Sequence, residues 1–289
     1  MPAPRLSLFL GKGGVGRTTL ASAFAVDRAA AGERVLLMGV VSQDEVASRI
    51  QHEAAGVDTR GRLELLHVDS RALVDDLVRK VMRMPALSEF ILRNPSYESL
   101  VDIVPGVREM ALFHLIGKKR EEGQFDRIVL DAPATGHGIH FLEAPEKTAK
   151  ILAGPLRARA EDLRAMLKDP AVTDVVIVTL AEEMPVRETM ELARKLRDQG
   201  FPLDNVVVNR WLPRVFADAR SRAVLDRLPA DGAGAWLDAM RLMAAQRTEH
   251  EQHLAELRAL DVKLAVVPLI PESSRRLLKV AQAMKEVAP

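Results

Sequence analysis

The chain has 289 residues, of which 48% are apolar and 4% aromatic, so it can bury a large core, and that core must rest on Leu, Val, Ile, Ala and Met. A formal net charge of +1 makes no demand for nucleic acid or an anionic membrane as partner. The absence of cysteine excludes disulfides, thiolate catalysis and cysteine-ligated zinc, and no apolar run is long enough to span a bilayer. No zinc, no nucleic acid and no stable membrane insertion are therefore expected, and the expected location is cytoplasmic.

In chain order, RLSLFL (5–10) reads as a first strand. A glycine-rich turn follows, then the helical pattern TTLASAFAVDRAAAG, which closes on Gly32. RVLLMGV (34–40) and LELLHV (63–68) are the next strands. Residues 70–123 read as helical, cut by Pro85, Pro95 and Pro105 into short pieces carrying Met82, Met84, Leu87, Phe90, Ile91 and Leu92. FDRIVL (125–130) is a fourth strand, and a second helical region, 138–170, carries Ile151, Leu152 and Met166. DVVIVTL (174–180) precedes the helix PVRETMELARKLRDQG, which closes on Gly200. NVVVN (205–209), the amphipathic stretch 236–257 and KLAVVPLI (263–270) complete the chain.

The strands are apolar almost throughout, which predicts cover on both faces. The expected fold is a doubly wound α/β domain over 1–289, with a mainly parallel sheet of seven or eight strands. The helical regions 70–123 and 138–170 are expected as a layer on one side of it.

The turn LGKGGVGRTTL (10–20) nearly has the phosphate-loop spacing G-x-x-x-x-G-K-S/T. Glycines at 11, 13, 14 and 16 let backbone N–H groups converge on phosphate oxygens, with a helix N-terminus behind them. Gly13, Gly14, Val15, Gly16, Arg17, Thr18 and Thr19 are the expected nucleotide contacts, and the Thr18 hydroxyl is an expected Mg²⁺ ligand. Arg17 stands in the usual place of the lysine, and Lys12 lies just inside the first glycine.

GKGGVG resembles the deviant phosphate loop of a dimeric NTPase group that includes nitrogenase iron protein, cell-division positioning ATPases and ArsA-like ATPases. In that group the early lysine reaches across a dimer interface to the partner's nucleotide, so the resemblance implies a dimer and a catalytic role for Lys12. IVLDAPATGHGIHFLEAP (128–145) resembles the D-T-A-P-T-G-H-T-L-x-x-L segment of the ArsA and tail-anchored-protein-targeting ATPase family. VPGVREMALFHLI (104–116), TLAEEMPVRETMEL (179–192), VVVNRWLP (206–213) and PLIPESS (268–274) extend the likeness over most of the chain. The resemblance implies an ATP–Mg²⁺ site with Asp131 as the strand-end carboxylate near the metal and Thr135, Gly136 and His137 in the second switch. It implies further that Asn209 reads adenine and that the loop of Pro268 and Ile270 covers the base.

The chain departs from that family in three respects. Arg17, with Lys12 an expected catalytic residue, keeps the charge of the loop lysine with a longer, planar and forked group, which favours phosphate binding over transition-state stabilisation. Val41 occupies the first-switch position of the aspartate that positions the attacking water, a role contributing about 10²–10⁴ in rate, and Asp44 or Glu45 can take it over only if the loop is rebuilt. The cysteines of the zinc clasp and of metalloid binding are absent. The expected protein is a nucleotide-switched dimeric ATPase with weak or partner-dependent hydrolysis, as a homodimer or paired with a complete related ATPase. Two alternatives stand beside it: a carrier of hydrophobic tail-anchored clients, and a non-catalytic nucleotide-sensing scaffold. His250 and His253 share a helix face and read as solvated, while Trp211 and Trp236 suit either core or interface.

Overall fold

The computed structural model describes residues 5–39, 43–81, 89–90, 92–94, 106–133, 138–151, 154–213, 215, 220, 223, 224, 227 and 234–286. Val41, Thr135, Gly136 and His137 lie outside the described residues, as do Met82, Met84, Leu87, Ile91, Leu152 and the three prolines at 85, 95 and 105. The described strands are β1 (Arg5–Leu10), β2 (Val35–Gly39), β3 (Leu63–His67), β4 (Arg127–Asp131), β5 (Thr173–Leu180), β6 (Leu203–Trp211) and β7 (Lys263–Pro268). All pair in parallel, in the order β3-β2-β4-β1-β5-β6-β7.

Period-two alternation divides each strand between two cores. Leu6, Leu8 and Leu10 of β1 face a layer containing Phe113, Phe141, Leu163 and Leu196. Phe9 faces the opposite layer with Leu20, Val26 and Val280. The first layer is built from α4 (Val107–Glu122), α5 (Gly138–Leu142), α6 (Ala144–Ile151), α7 (Gly154–Lys168), α8 (Glu183–Asp198) and α9 (Gly234–Arg258). Its centre is the tilted pair Phe113 and Phe141, with ring centroids 4.8 Å apart. Helix α3 (Ser70–Val81) leans on α4 through Val74 and Ala111. The second layer holds α1 (Arg17–Ala30), α2 (Gln43–Glu53) and α10 (Arg276–Lys285). Within the regions 70–123 and 138–170 the described helices lie at 70–81, 107–122, 138–142, 144–151 and 154–168.

The chain leaves β1 for β2 across β4, and leaves β4 for β5 across β1. That reversal opens a crevice at the carboxyl ends of the central strands, the usual ligand position in such sheets. In the strand register Phe9 lies opposite Asp131 on one side and Val176 on the other. The loop after β1 and the end of β4 are therefore neighbours despite 120 intervening residues.

Strand β6 does not stop at Asn209, as the sequence suggests, but runs to Trp211. Arg210 takes φ 56°, and the register against β7 shifts between Val208 and Trp211. This kink turns Trp211 under the Arg247 guanidinium, 4.2 Å above its ring, and beside His250, 5.4 Å between centroids. Trp236, in contrast, is 59% exposed on α9.

Candidate nucleotide site

The glycines of the loop have separate physical reasons. At Gly11, with φ 152°, a Cβ would collide with the Val178 carbonyl oxygen of β5. At Gly16, with φ 92°, a Cβ would collide with the side-chain amide of Asn209. A side chain is thus excluded twice over, by backbone conformation and by space. Gly16 is also the N-cap of α1, with no side-chain cap and no acidic residue in the first turn. The helix offers its N-terminal N–H groups and positive dipole end without an acidic first-turn side chain to neutralise them, which suits an anion.

Behind the loop lies a buried charge pair. Arg17, 8% exposed, donates from Nε to Asp131 Oδ1 at 2.7 Å and from Nη1 to the Gly11 carbonyl at 2.7 Å. The Thr18 hydroxyl donates to Asp131 Oδ2 at 2.5 Å. Asp131 is 3% exposed, so both of its oxygens are matched inside the protein. Thr18 and Asp131, the expected metal ligands, are adjacent, but the carboxylate is engaged on one oxygen by the Arg17 guanidinium and on the other by the Thr18 hydroxyl. Like unit charges 4 Å apart repel by about 4 kcal/mol at an effective dielectric of 20. With Arg17 in this position the donor set does not fit Mg²⁺. Among the described residues no group of three or more histidines or carboxylates converges as a metal site.

Lys12 lies on the exposed lip of the loop and donates to Glu188 Oε1 of α8 at 2.7 Å. Both side chains are more than two-fifths exposed, and such pairs contribute about 0–1 kcal/mol, so the lysine is readily released to a stronger anion. Glu188 falls on the fixed glutamate of the family-like pattern T-x-x-E-E-x-x-x-x-E-T within 179–192, but that pattern does not tell that it pairs with Lys12. Gly13 and Gly14 are exposed, Val15 is buried, and Thr18 and Thr19 are half-buried.

Asn209 is brought to the loop rather than to open solvent. Its Nδ2 donates to the Val15 carbonyl at 2.8 Å, which anchors the turn that the glycines make. Asn209 also borders a cleft of about 510 Å³ at the ends of β5, β6 and β7, with Arg210, Glu182, His250 and Leu269. Leu269, between Pro268 and Ile270, is fixed there by its N–H on the Trp211 carbonyl at 2.8 Å. Burial, aided by the nearby Arg247, holds His250 below the ordinary imidazole range. It is half-buried against Trp211 instead of solvated, whereas His253 pairs with Glu256 at 3.1 Å.

A parallel sheet with a glycine loop between its central strand and a helix, and an aspartate ending the adjacent strand, has the architecture of a phosphate-loop NTPase. The chain belongs to the anion-transporting ATPase family, whose model matches residues 5–159 and 154–226. It is 30% identical over 224 residues to the ATPase BagA of Mycobacterium tuberculosis, covering 72% of this chain and 66% of that protein. It is 26% identical over 239 residues to the ATPase GET3 of Rhodotorula glutinis, covering 70% of this chain and 68% of the relative. The match thus spans slightly less than two thirds of the length of the mycobacterial relative. Among the described residues no helix is long and apolar enough to cross a membrane.

Proposed function

We propose that this chain is a cytoplasmic ATP-binding switch of the ATPase family, working as a dimer with weak or partner-dependent hydrolysis. The observation that carries this reading is the phosphate loop itself. Gly11 and Gly16 hold it tight against Val178 and Asn209, and α1 opens behind it with uncapped N–H groups. Isothermal titration of the folded protein with ATP should give saturable heat. Its absence, with and without Mg²⁺, would end the reading.

Two features favour holding ATP over splitting it. Arg17 is engaged by Asp131 and Gly11, so its charge is not free to follow the transferring phosphoryl group. Val41 supplies no carboxylate for the attacking water. Lys12 supports the dimer: it is exposed, positively charged and, among the described residues, held by a surface ion pair with Glu188. In a heterodimer with a complete related ATPase it would supply charge to the partner's nucleotide, as the early lysine does in the group this loop resembles. Lys12→Ala should then lower hydrolysis by such a mixture at least about tenfold, since a cation supplied in trans contributes about 10³–10⁵ in rate. An unchanged rate removes the role in trans. A scaffold without catalysis predicts no turnover with any partner.

A hydrophobic client is a second reading, favoured by Ile151, Trp236 and Leu242, each more than half exposed on the helical layer. It requires a tail peptide to bind with an affinity that differs between ADP and ATP.

A further inference from the structure

Arg17 has a more specific consequence. Its guanidinium joins three parts of the site: the first residue of the loop through the Gly11 carbonyl, the start of α1 from which it springs, and the end of β4 through Asp131. Thr18 closes the same carboxylate from its other oxygen. The pair is buried, with side-chain exposures of 9% and 4%, and a guanidinium does not lose its proton in a protein. We propose that Arg17 is the built-in cation of this site, standing where a divalent ion would act, so that the chain binds a nucleoside triphosphate without metal and gains little when metal is supplied. The proposal rests on the nucleotide reading and narrows it.

Three physical points support it. Asp131 is neutralised by a partner on the same chain, so it neither recruits a divalent ion nor repels the polyphosphate. The remaining grip on phosphate comes from the backbone N–H groups of the glycine turn and from the opening of α1, and neither uses a metal. The bonds to Asp131 and Gly11 use two of the five N–H donors of the fork and hold the guanidinium at the base of the loop without a metal. A lysine at this position would behave differently. Its single ammonium, a strongly hydrated point charge on a flexible stem, cannot hold Asp131 and Gly11 in the same fork geometry. The carboxylate would then be open to a hydrated divalent ion.

The test is the equilibrium affinity for ATP, measured by calorimetry in excess EDTA and again in millimolar Mg²⁺, on the wild-type chain and on Arg17→Lys. The wild-type dissociation constants should agree within about threefold, and Arg17→Lys should bind at least about tenfold more tightly with Mg²⁺ than without. Thermal melting checks that the variant is folded; if it is not, the wild-type comparison alone decides. Wild-type binding that tightens by more than about threefold on adding Mg²⁺ overturns the proposal and leaves the nucleotide reading standing. A folded Arg17→Lys as indifferent to metal as the wild type removes Arg17 as the determinant. No binding in either condition overturns the proposal and the nucleotide reading together.

Discussion

Gly11→Ala is expected to abolish ATP binding and to lower the melting temperature by roughly 5–10 °C. The new Cβ would meet the Val178 carbonyl oxygen, a backbone atom in the middle of the sheet that cannot turn aside as a flexible side chain would. Overpacking of this kind costs about 1–3 kcal/mol, and a non-glycine residue at a positive φ adds about 1–3 kcal/mol more. Relief requires the loop to lift from β5, which scatters the N–H groups that should converge on phosphate. Gly16→Ala should lose binding by a different route, pushing Asn209 off the Val15 carbonyl and freeing the turn. Gly14→Ala is the contrast. It has φ 85° but a Cβ there would meet nothing within 4 Å, so it should lose only the backbone preference, about 1 kcal/mol. Thermal melts and ATP titrations of the three variants give the ranking. A Gly11→Ala protein that melts and binds like the wild type would show that the loop does not approach β5 so closely.

Much of this architecture is legible in local pattern. RLSLFL matches β1 residue for residue, and the other six apolar runs overlap the observed strands with ends displaced by no more than two residues. Such runs are set by burial on both faces, which composition reports directly. Gly32 and Gly200, at φ 105° and 73°, each lie two residues past the helix they are expected to close. The partners of the site side chains are not legible in this way. Arg17 and Asp131 are 114 residues apart, Lys12 and Glu188 are 176 apart, and Asn209 and Val15 are 194 apart. These contacts depend on strand order, which places β4 and β5 on either side of β1, and no periodicity encodes that order. A fixed positive charge at position 17 is visible in the sequence. That it turns back onto the carboxylate and carbonyl beside it is a property of the folded site.

Asp131→Ala should be the most destabilising single substitution among the site's side chains, by about 3–5 kcal/mol, because it strands the Arg17 guanidinium in the interior. Thr18 loses its acceptor in the same step. Arg17→Met should also destabilise, since it leaves a buried carboxylate facing one hydroxyl. The informative protein is the double variant Arg17→Met/Asp131→Leu. Replacing both members of a buried pair by apolar groups of similar size is often neutral or stabilising, whereas breaking the pair is not. Urea denaturation should therefore place the double variant above Asp131→Ala in stability. Asp131→Leu alone completes the cycle, whose coupling energy should be of order 1–3 kcal/mol. A sum of single effects with no coupling would mean that each group is solvated independently and that the pair is not a unit. If the coupling is present, the same result explains why charge was kept at position 17 when the lysine was not. An uncharged residue there would leave Asp131 buried without a counter-charge, and only a cation long enough to reach both the β4 carboxylate and the Gly11 carbonyl holds loop, helix and sheet together.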